Sequence, residues 1–196
     1  MSLKNKILSE SKVISFEKPK GNLIILIGGS GSGKSYVRSN LININAKVLD
    51  SDKYLTQIAN QKNVDLKNPK AVSDLYAETK PRFQKYINNF AKYASTKDNI
   101  IIDSTGKDYE KNKKLILLFK EKGYDITIIY VDVDLKTALE RNRNRERVVP
   151  DEIVKAIHFN IRANIKMFLN ICDHMWIVKN ETGVNFREGN NVLKLK

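Results

Sequence analysis

An unbroken apolar run, Leu23 to Ile27, opens directly into Gly28-Gly29-Ser30-Gly31-Ser32-Gly33-Lys34-Ser35, which fits the pattern G-x-x-x-x-G-K-[ST] at every fixed position. No other stretch limits the fold so tightly. A short continuous apolar run bounded by glycine predicts a strand buried on both faces of a parallel sheet. The glycines predict a tight turn whose successive N–H groups point inward at an anion. The stretch Tyr36 to Ile42 predicts a helix beginning at about Lys34, with its positive end at the same place. A flexible Gly/Ser linker that happened to hold a lysine would have neither neighbour. The loop residues Gly28, Gly29, Ser30, Gly31, Ser32, Gly33, Lys34 and Ser35 are therefore expected to cradle the phosphates of a nucleoside triphosphate. Lys34 would reach the β- and γ-phosphates, and the Ser35 hydroxyl would ligate Mg²⁺.

The rest of the chain alternates short apolar runs with helical patterns. Strands are expected at Leu23 to Ile27, Lys47 to Leu49, Asn99 to Ile102, Ile126 to Val131 and Met175 to Val178. Helices are expected from about Lys34, from about Lys53 to Ala59, over Asp108 to Lys122 with a stop at Gly123, from Leu135 to about Arg141, and from the Pro150 region to about Ile171. Between them lies a long amphipathic helix carrying Val72, Leu75, Tyr76, Phe83, Tyr86, Ile87 and Phe90, in which Pro81 predicts a kink or break. Residues 1–20 read as an arm closed off by the turn Pro19-Lys20-Gly21. Asn180 to Gly183 reads as a turn, and Asn185 to Leu195 as a hairpin or edge strand around Gly189-Asn190. Such alternation implies one α/β domain over residues 21–196, with a mostly parallel five-stranded sheet between two helical layers.

Composition narrows the setting. At 196 residues the chain suits a single buried core, and no apolar stretch approaches the length of a membrane span or a signal peptide. The lone Cys172 cannot form an internal disulfide, and its apolar neighbours suggest a buried thiol, which fits a reducing cytoplasm. The net charge of +13 is open to two readings, nucleic acid as a partner or anionic nucleotides met by a lysine-rich coding bias, since the lysines are scattered rather than clustered.

In open parallel sheets ligands sit beyond the carboxyl ends of the strands, and four such ends here run into polar loops. After the second strand, Asp52 is placed to accept a proton from a hydroxyl acceptor or to help hold Mg²⁺, with a helix cap as its plainer role and Asp50 as a weaker candidate. Asp103 closes the third strand where a carboxylate would orient the metal's water shell, and Thr105 and Lys107 follow in a loop able to contact a substrate. The segment Arg141 to Arg147 holds four of the eight arginines, in planar forks suited to phosphate oxygens. Followed by Pro150, it reads as a lid over about residues 141–150, with Arg141 and Arg147 as the phosphate contacts. A solvated basic face or a grip on a nucleic-acid backbone is the alternative. His158 and His174 read as structural, Trp176 as core, and Glu78 with Arg82 as a surface pair one helical turn apart.

Taken together, Gly28 to Ser35, Val48-Leu49-Asp50-Ser51-Asp52, Asp103-Ser104-Thr105-Gly106-Lys107 and Arg147-Val148-Val149-Pro150 resemble the zeta-toxin family of kinases, whose kinase domain is similar to that of phage polynucleotide kinases. The resemblance covers roughly residues 21–190. It implies a P-loop kinase fold with an arginine-rich lid, and transfer of the γ-phosphoryl group of ATP, with Mg²⁺, to a hydroxyl. In that family the acceptor is UDP-N-acetylglucosamine. Carried across, Lys34 and Ser35 serve phosphate and metal, and Asp52 activates the acceptor. Arg141 and Arg147 stabilise the transferred group, while Asp103, Thr105 and Lys107 hold the acceptor. The chain departs from the family's Glu-Gly-Thr-Gly-Arg by reading Asp-Ser-Thr-Gly-Lys. A 5′-hydroxyl polynucleotide kinase, a nucleoside, nucleotide or other small-metabolite kinase, and a nucleotide-dependent switch are the other readings, and the resemblance leaves room for an antitoxin partner.

Overall fold

The computed structural model describes residues 14–145, 147–181 and 191–196. In chain order these form β1 (Asn22–Ile27), α1 (Lys34–Leu41), β2 (Lys47–Asp50), α2 (Ser51–Lys62), α3 (Pro69–Tyr93), β3 (Ile100–Ser104), α4 (Tyr109–Lys120), β4 (Asp125–Asp132), α5 (Leu135–Arg143), α6 (Asp151–Phe168), β5 (His174–Lys179) and β6 (Val192–Lys194). The sheet order is β2-β3-β1-β4-β5-β6. The first five strands run parallel, and β6 pairs antiparallel with β5. A sixth strand therefore extends the expected five. The edge-strand reading of the C-terminal stretch holds for β6, while the expected turns at Thr182-Gly183 and Gly189-Asn190 lie outside the described residues, as do residues 1–13 of the expected arm.

The apolar run Leu23 to Ile27 lies in the interior of this sheet, between β3 and β4. Every residue of β1 is buried, and alternate side chains serve different layers. Leu23, Ile25 and Ile27 pack with Ile87 and Ala91 of α3, Ile116 and Phe119 of α4, and Ile161 and Phe168 of α6. Ile24 and Leu26 pack on the other face with Val37 and Leu41 of α1 and with Ile14. Each such side chain contributes about 1.5–3 kcal/mol on burial, so the central strand alone anchors both layers. Ile14 reaches that layer through a bridge to Ile42. No helix among the described residues is long and apolar enough to cross a membrane.

Three local expectations change. The helix after β2 begins at Ser51 rather than Lys53, because Asp50 caps it: its Oδ1 accepts from the backbone N–H of Asp52 at 3.0 Å and of Lys53 at 3.2 Å. The role of cap thus falls to Asp50 and leaves the Asp52 side chain free of it. Pro81 does not break α3, since Leu75 on one side and Ile87 and Ala91 on the other are all held in packed clusters. The third strand runs on to Ser104, so Asp103 stands in regular register, opposite Asp50 of β2. Of the remaining expectations, Cys172 is buried and Glu78 pairs with Arg82 at 3.2 Å. Trp176 is only partly buried at the edge of the second core layer.

Candidate active site

The strand order turns back at β1, whose neighbours β3 and β4 both follow it in sequence, so the carboxyl end of β1 is the crevice that this class of sheet offers to ligands. The glycine loop fills that place. Gly31 and Gly33 take left-handed backbone with φ of 77° and 87°. A Cβ would lie 2.2 Å from the Ala138 carbonyl oxygen at Gly31 and 2.0 Å from Asn180 Nδ2 at Gly33, so both positions require glycine. Gly33 caps α1 without a side-chain acceptor, which leaves the first amides of the helix as donors for an anion.

Lys34 lies back over the loop, donating from Nζ to the Gly28 carbonyl at 2.8 Å and pairing with Asp103 Oδ1 at 3.3 Å. One turn along α1, Arg38 NH1 stands 3.2 Å from Asp50 Oδ2 and 3.8 Å from Asp103 Oδ2. Two carboxylates side by side in register repel, and the two cations between them make the arrangement tenable. Burial nevertheless pushes the Asp103 carboxyl above its ordinary value, with Asp50 adding to the shift and Lys34 and Arg38 opposing it. Ser35 is exposed on the first turn of α1, at the same end of the sheet. These hard oxygen donors, a hydroxyl at a helix head and a carboxylate able to act through water, suit Mg²⁺ carried by a triphosphate.

Asp52 projects into the cleft with its side chain half exposed, and arginines from the expected lid meet it. Arg147 NH2 donates to Asp52 Oδ1 at 2.8 Å. Arg145 spans the cleft: NH1 donates to the Ser30 hydroxyl at 2.9 Å, and NH2 is 3.9 Å from Asp52 Oδ2. One guanidinium thus measures the separation between phosphate loop and acid. Arg141 lies at the loop on another side, its NH1 donating to the Asn180 carbonyl at 2.7 Å and sitting 3.9 Å from where a Gly33 Cβ would be. Arg143 turns away to pair with Asp151. Thr105 and Lys107 stand in the loop directly after β3, which is held by Ser104 Oγ donating to Asn112 Oδ1 at 3.0 Å and Asn164 Nδ2 donating to the Lys107 carbonyl at 3.0 Å. Neither side chain joins the ionic cluster among the described residues. Beside that loop, burial and then Lys80 hold the Lys111 amine below its usual value, with Asp108 opposing and Lys107 adding to the shift.

The structure therefore gathers Lys34, Asp103, Asp52 and Arg147 around the loop, sets Arg141 at its flank, and leaves Thr105 and Lys107 at the rim. It also recruits Arg38, Arg145, Asn142 and Asn180, which sequence reasoning did not single out. Arg38 carried a signal, since it lies one helical turn from Lys34 on the same face. Asn180 carried none: its Nδ2 donates to the Ser32 carbonyl at 2.7 Å, a contact between residues far apart in the chain. The two histidines take structural places, His158 lining a small cavity beneath the loop and His174 pairing with Asp125 at 3.1 Å.

Solved structures with this fold include a chain of the PezAT chromosomal toxin-antitoxin system of Streptococcus pneumoniae, with TM-score 0.55, 20% identity, and coverage of 90% of this chain and 73% of that one. A chain of AvrRxo1-ORF1:-ORF2 with ATP gives TM-score 0.66 at 14% identity, and this chain, matched over 96%, spans 60% of that longer one. Shikimate kinase from Acinetobacter baumannii, in complex with shikimate, gives TM-score 0.51 at 15% identity, with 85% of this chain and 87% of that one covered. Among curated proteins, none matches this sequence. The fold is that of the P-loop kinases, as the zeta-toxin resemblance implied. Residues 23–165 match a family model described as AAA domain, and the chain belongs to that family.

Proposed function

We propose that this protein is an ATP-dependent phosphotransferase that moves the γ-phosphoryl group to a hydroxyl, with a UDP-N-acetyl-amino sugar as the acceptor its zeta-toxin-like motifs favour. One observation carries the proposal: Arg145 touches Ser30 of the phosphate loop and faces Asp52 with the other nitrogen of the same guanidinium. An anion cradle and an acid bridged by one side chain bring a phosphoryl donor and an acceptor hydroxyl close together, and positioning of that kind is most of what phosphoryl transfer asks of a protein.

In this scheme the loop amides and Lys34 bind the triphosphate, which takes the lysine from its bond to the Gly28 carbonyl. Mg²⁺, when bound, would neutralise charge on the β- and γ-oxygens, with Ser35 and Asp103 as its holders. Asp52 accepts the proton of the acceptor hydroxyl. Arg145 and Arg147, which meet that acid, face the transferring group across the cleft, and Arg141 flanks the loop. Thr105 and Lys107 form the acceptor rim. A second reading, a polynucleotide 5′-hydroxyl acceptor, is favoured by the net charge of +13.

The test is transfer from γ-labelled ATP to UDP-sugars, nucleosides and 5′-hydroxyl oligonucleotides offered in parallel at two ionic strengths. Label on a UDP-sugar, little affected by salt, supports the first reading. Label on an oligonucleotide that falls steeply with salt supports the second, and label on no acceptor removes both. An antitoxin-like partner is a further expectation of the resemblance, tested by whether a co-purifying chain blocks transfer.

A further inference from the structure

Asn142 lies in the last turn of α5, inside the arginine segment, and is fully buried at 0% exposure. Its Oδ1 accepts from the Ser30 hydroxyl at 2.7 Å and from the Val149 N–H at 3.2 Å, while its Nδ2 donates to the Val149 carbonyl at 2.7 Å. Ser30 Oγ in turn accepts from Arg145 NH1. Around this polar knot the packing is apolar, with Val149 and Leu139 against Val133, Ala138 and Val154. A buried amide in such surroundings is tolerable because both its oxygen and its nitrogen have partners, and an apolar side chain of similar size would serve packing as well.

A simple staple would end on backbone. Here one arm ends on the hydroxyl of the phosphate loop, and that hydroxyl holds the arginine which faces Asp52. We propose, on the reading that the site uses ATP, that Asn142 is a positioning residue that couples the phosphate loop to the arginine segment. It fixes Ser30 and Val149 in one register, so that Arg145 and Arg147 stand across the cleft from Asp52 and respond to a ligand in the loop. Alanine at 142 would leave both backbone groups of Val149 without their partner. Aspartate would keep the acceptor but lose the donor to the Val149 carbonyl.

Hydrogen exchange on the full chain, with and without Mg²⁺-ATP, reads this coupling as the ratio of protection gained on binding. In the unaltered chain, ATP slows exchange in the loop around Ser30 and at Val148-Val149 together. In Ser30→Ala, which removes the hydroxyl between Asn142 and Arg145, the gain at Val148-Val149 is read against the gain at the loop in the same variant. The gain at Val148-Val149 falls about fivefold, the factor one lost hydrogen bond is worth. Asn142→Ala loses more, and Asn142→Asp recovers part of the gain. A merely structural role lowers protection with and without ATP alike and leaves the ratio unchanged. Equal gains at both segments in Ser30→Ala and Asn142→Asp would overturn the coupling while leaving ATP use intact. No gain anywhere in the unaltered chain would instead remove the reading on which the coupling rests.

Discussion

At the end of the sheet where the strands begin, Asn99 Oδ1 accepts from the Asn22 N–H at 3.1 Å and from Asn22 Nδ2 at 2.9 Å, and Asn99 Nδ2 donates to the carbonyls of Pro19 at 3.0 Å and Asn45 at 3.2 Å. Nearby, Asp173 accepts from the Ile126 N–H at 2.9 Å and pairs with Lys120 at 2.8 Å. At the opposite end, Asp50, Asp52 and Asp103 meet Lys34, Arg38, Arg145 and Arg147, and these charges are satisfied chiefly by one another. The first end ties backbone segments together through short side chains. The second pairs its charges with one another around the glycine loop, where a phosphate can replace a carboxylate as the partner of a lysine or an arginine. Polar groups satisfied by backbone serve the fold, and polar groups satisfied by exchangeable charges serve a ligand.

The strongest way to break that contrast is at Asp52. If this acid were a staple, Asp52→Asn would cost stability and spare transfer. We expect the reverse: transfer falls by about 10³- to 10⁴-fold, toward the upper end of what a general base contributes, while calorimetry shows ATP binding nearly unchanged. Normal turnover in Asp52→Asn would remove the acid from its role. Lys34→Ala comes next. Loss of a preorganised cation on the phosphates should lower kcat/KM for ATP by about 10²- to 10³-fold. A Lys34→Ala protein that unfolds early but turns over normally would place the lysine among the staples.

Asn99→Ala probes the other end. It strips four hydrogen bonds from a buried network, and the groups left behind should cost about 2–3 kcal/mol in urea unfolding. The KM for ATP should stay within about twofold, because an intact fold presents the same loop. A large change in KM with unchanged stability would show that the two ends are not separable in function.

Much of this division could be read from the chain. Leu23 to Ile27 announced the central strand, because a strand covered on both faces has no polar face to interrupt it. The glycine loop announced an anion site, because only that composition lets amides converge. The places of Asp52 and Asp103 at the carboxyl ends of β2 and β3 were legible because short apolar runs stop just before them. The cap at Asp50 was hidden by its neighbour, since two acids flanking Ser51 fit a cap and a base in either order. Arg145 was hidden among four arginines, whose different fates depend on which of Asn180, Asp151, Ser30 and Asp52 lies in reach. Asn142 and Asn180 were beyond reach for the same reason, as their partners come from tertiary contacts that local periodicity does not encode. Pro81 misled because a missing hydrogen bond weighs less than an apolar face packed on both sides of it.

The finest test compares two aspartates in the two environments. At Asp103 burial outweighs Lys34 and Arg38, and the carboxyl titrates above its ordinary value. At Asp173 burial pulls the same way, but the hydrogen bond from Lys120 and the Ile126 amide prevail, and the carboxyl titrates below it. Linkage gives these shifts opposite signs. A raised carboxyl contributes stability below its unfolded value of about 3.9 that is lost as pH rises through the folded value. A lowered one contributes stability above that unfolded value that is lost as pH falls through the folded value. At about pH 7, therefore, Asp103→Asn should stabilise the fold while impairing transfer, and Asp173→Asn should destabilise it by about 1 kcal/mol or less and leave transfer alone. As pH falls, the Asp103 difference should vanish below its unfolded value of about 3.9, while the Asp173 difference should persist until pH drops below its lowered folded value. If Asp103→Asn instead destabilises the fold at neutral pH, its pairing with Lys34 and Arg38 outweighs its burial, and the carboxyl ends of the strands are held by the same logic as the ends where they begin.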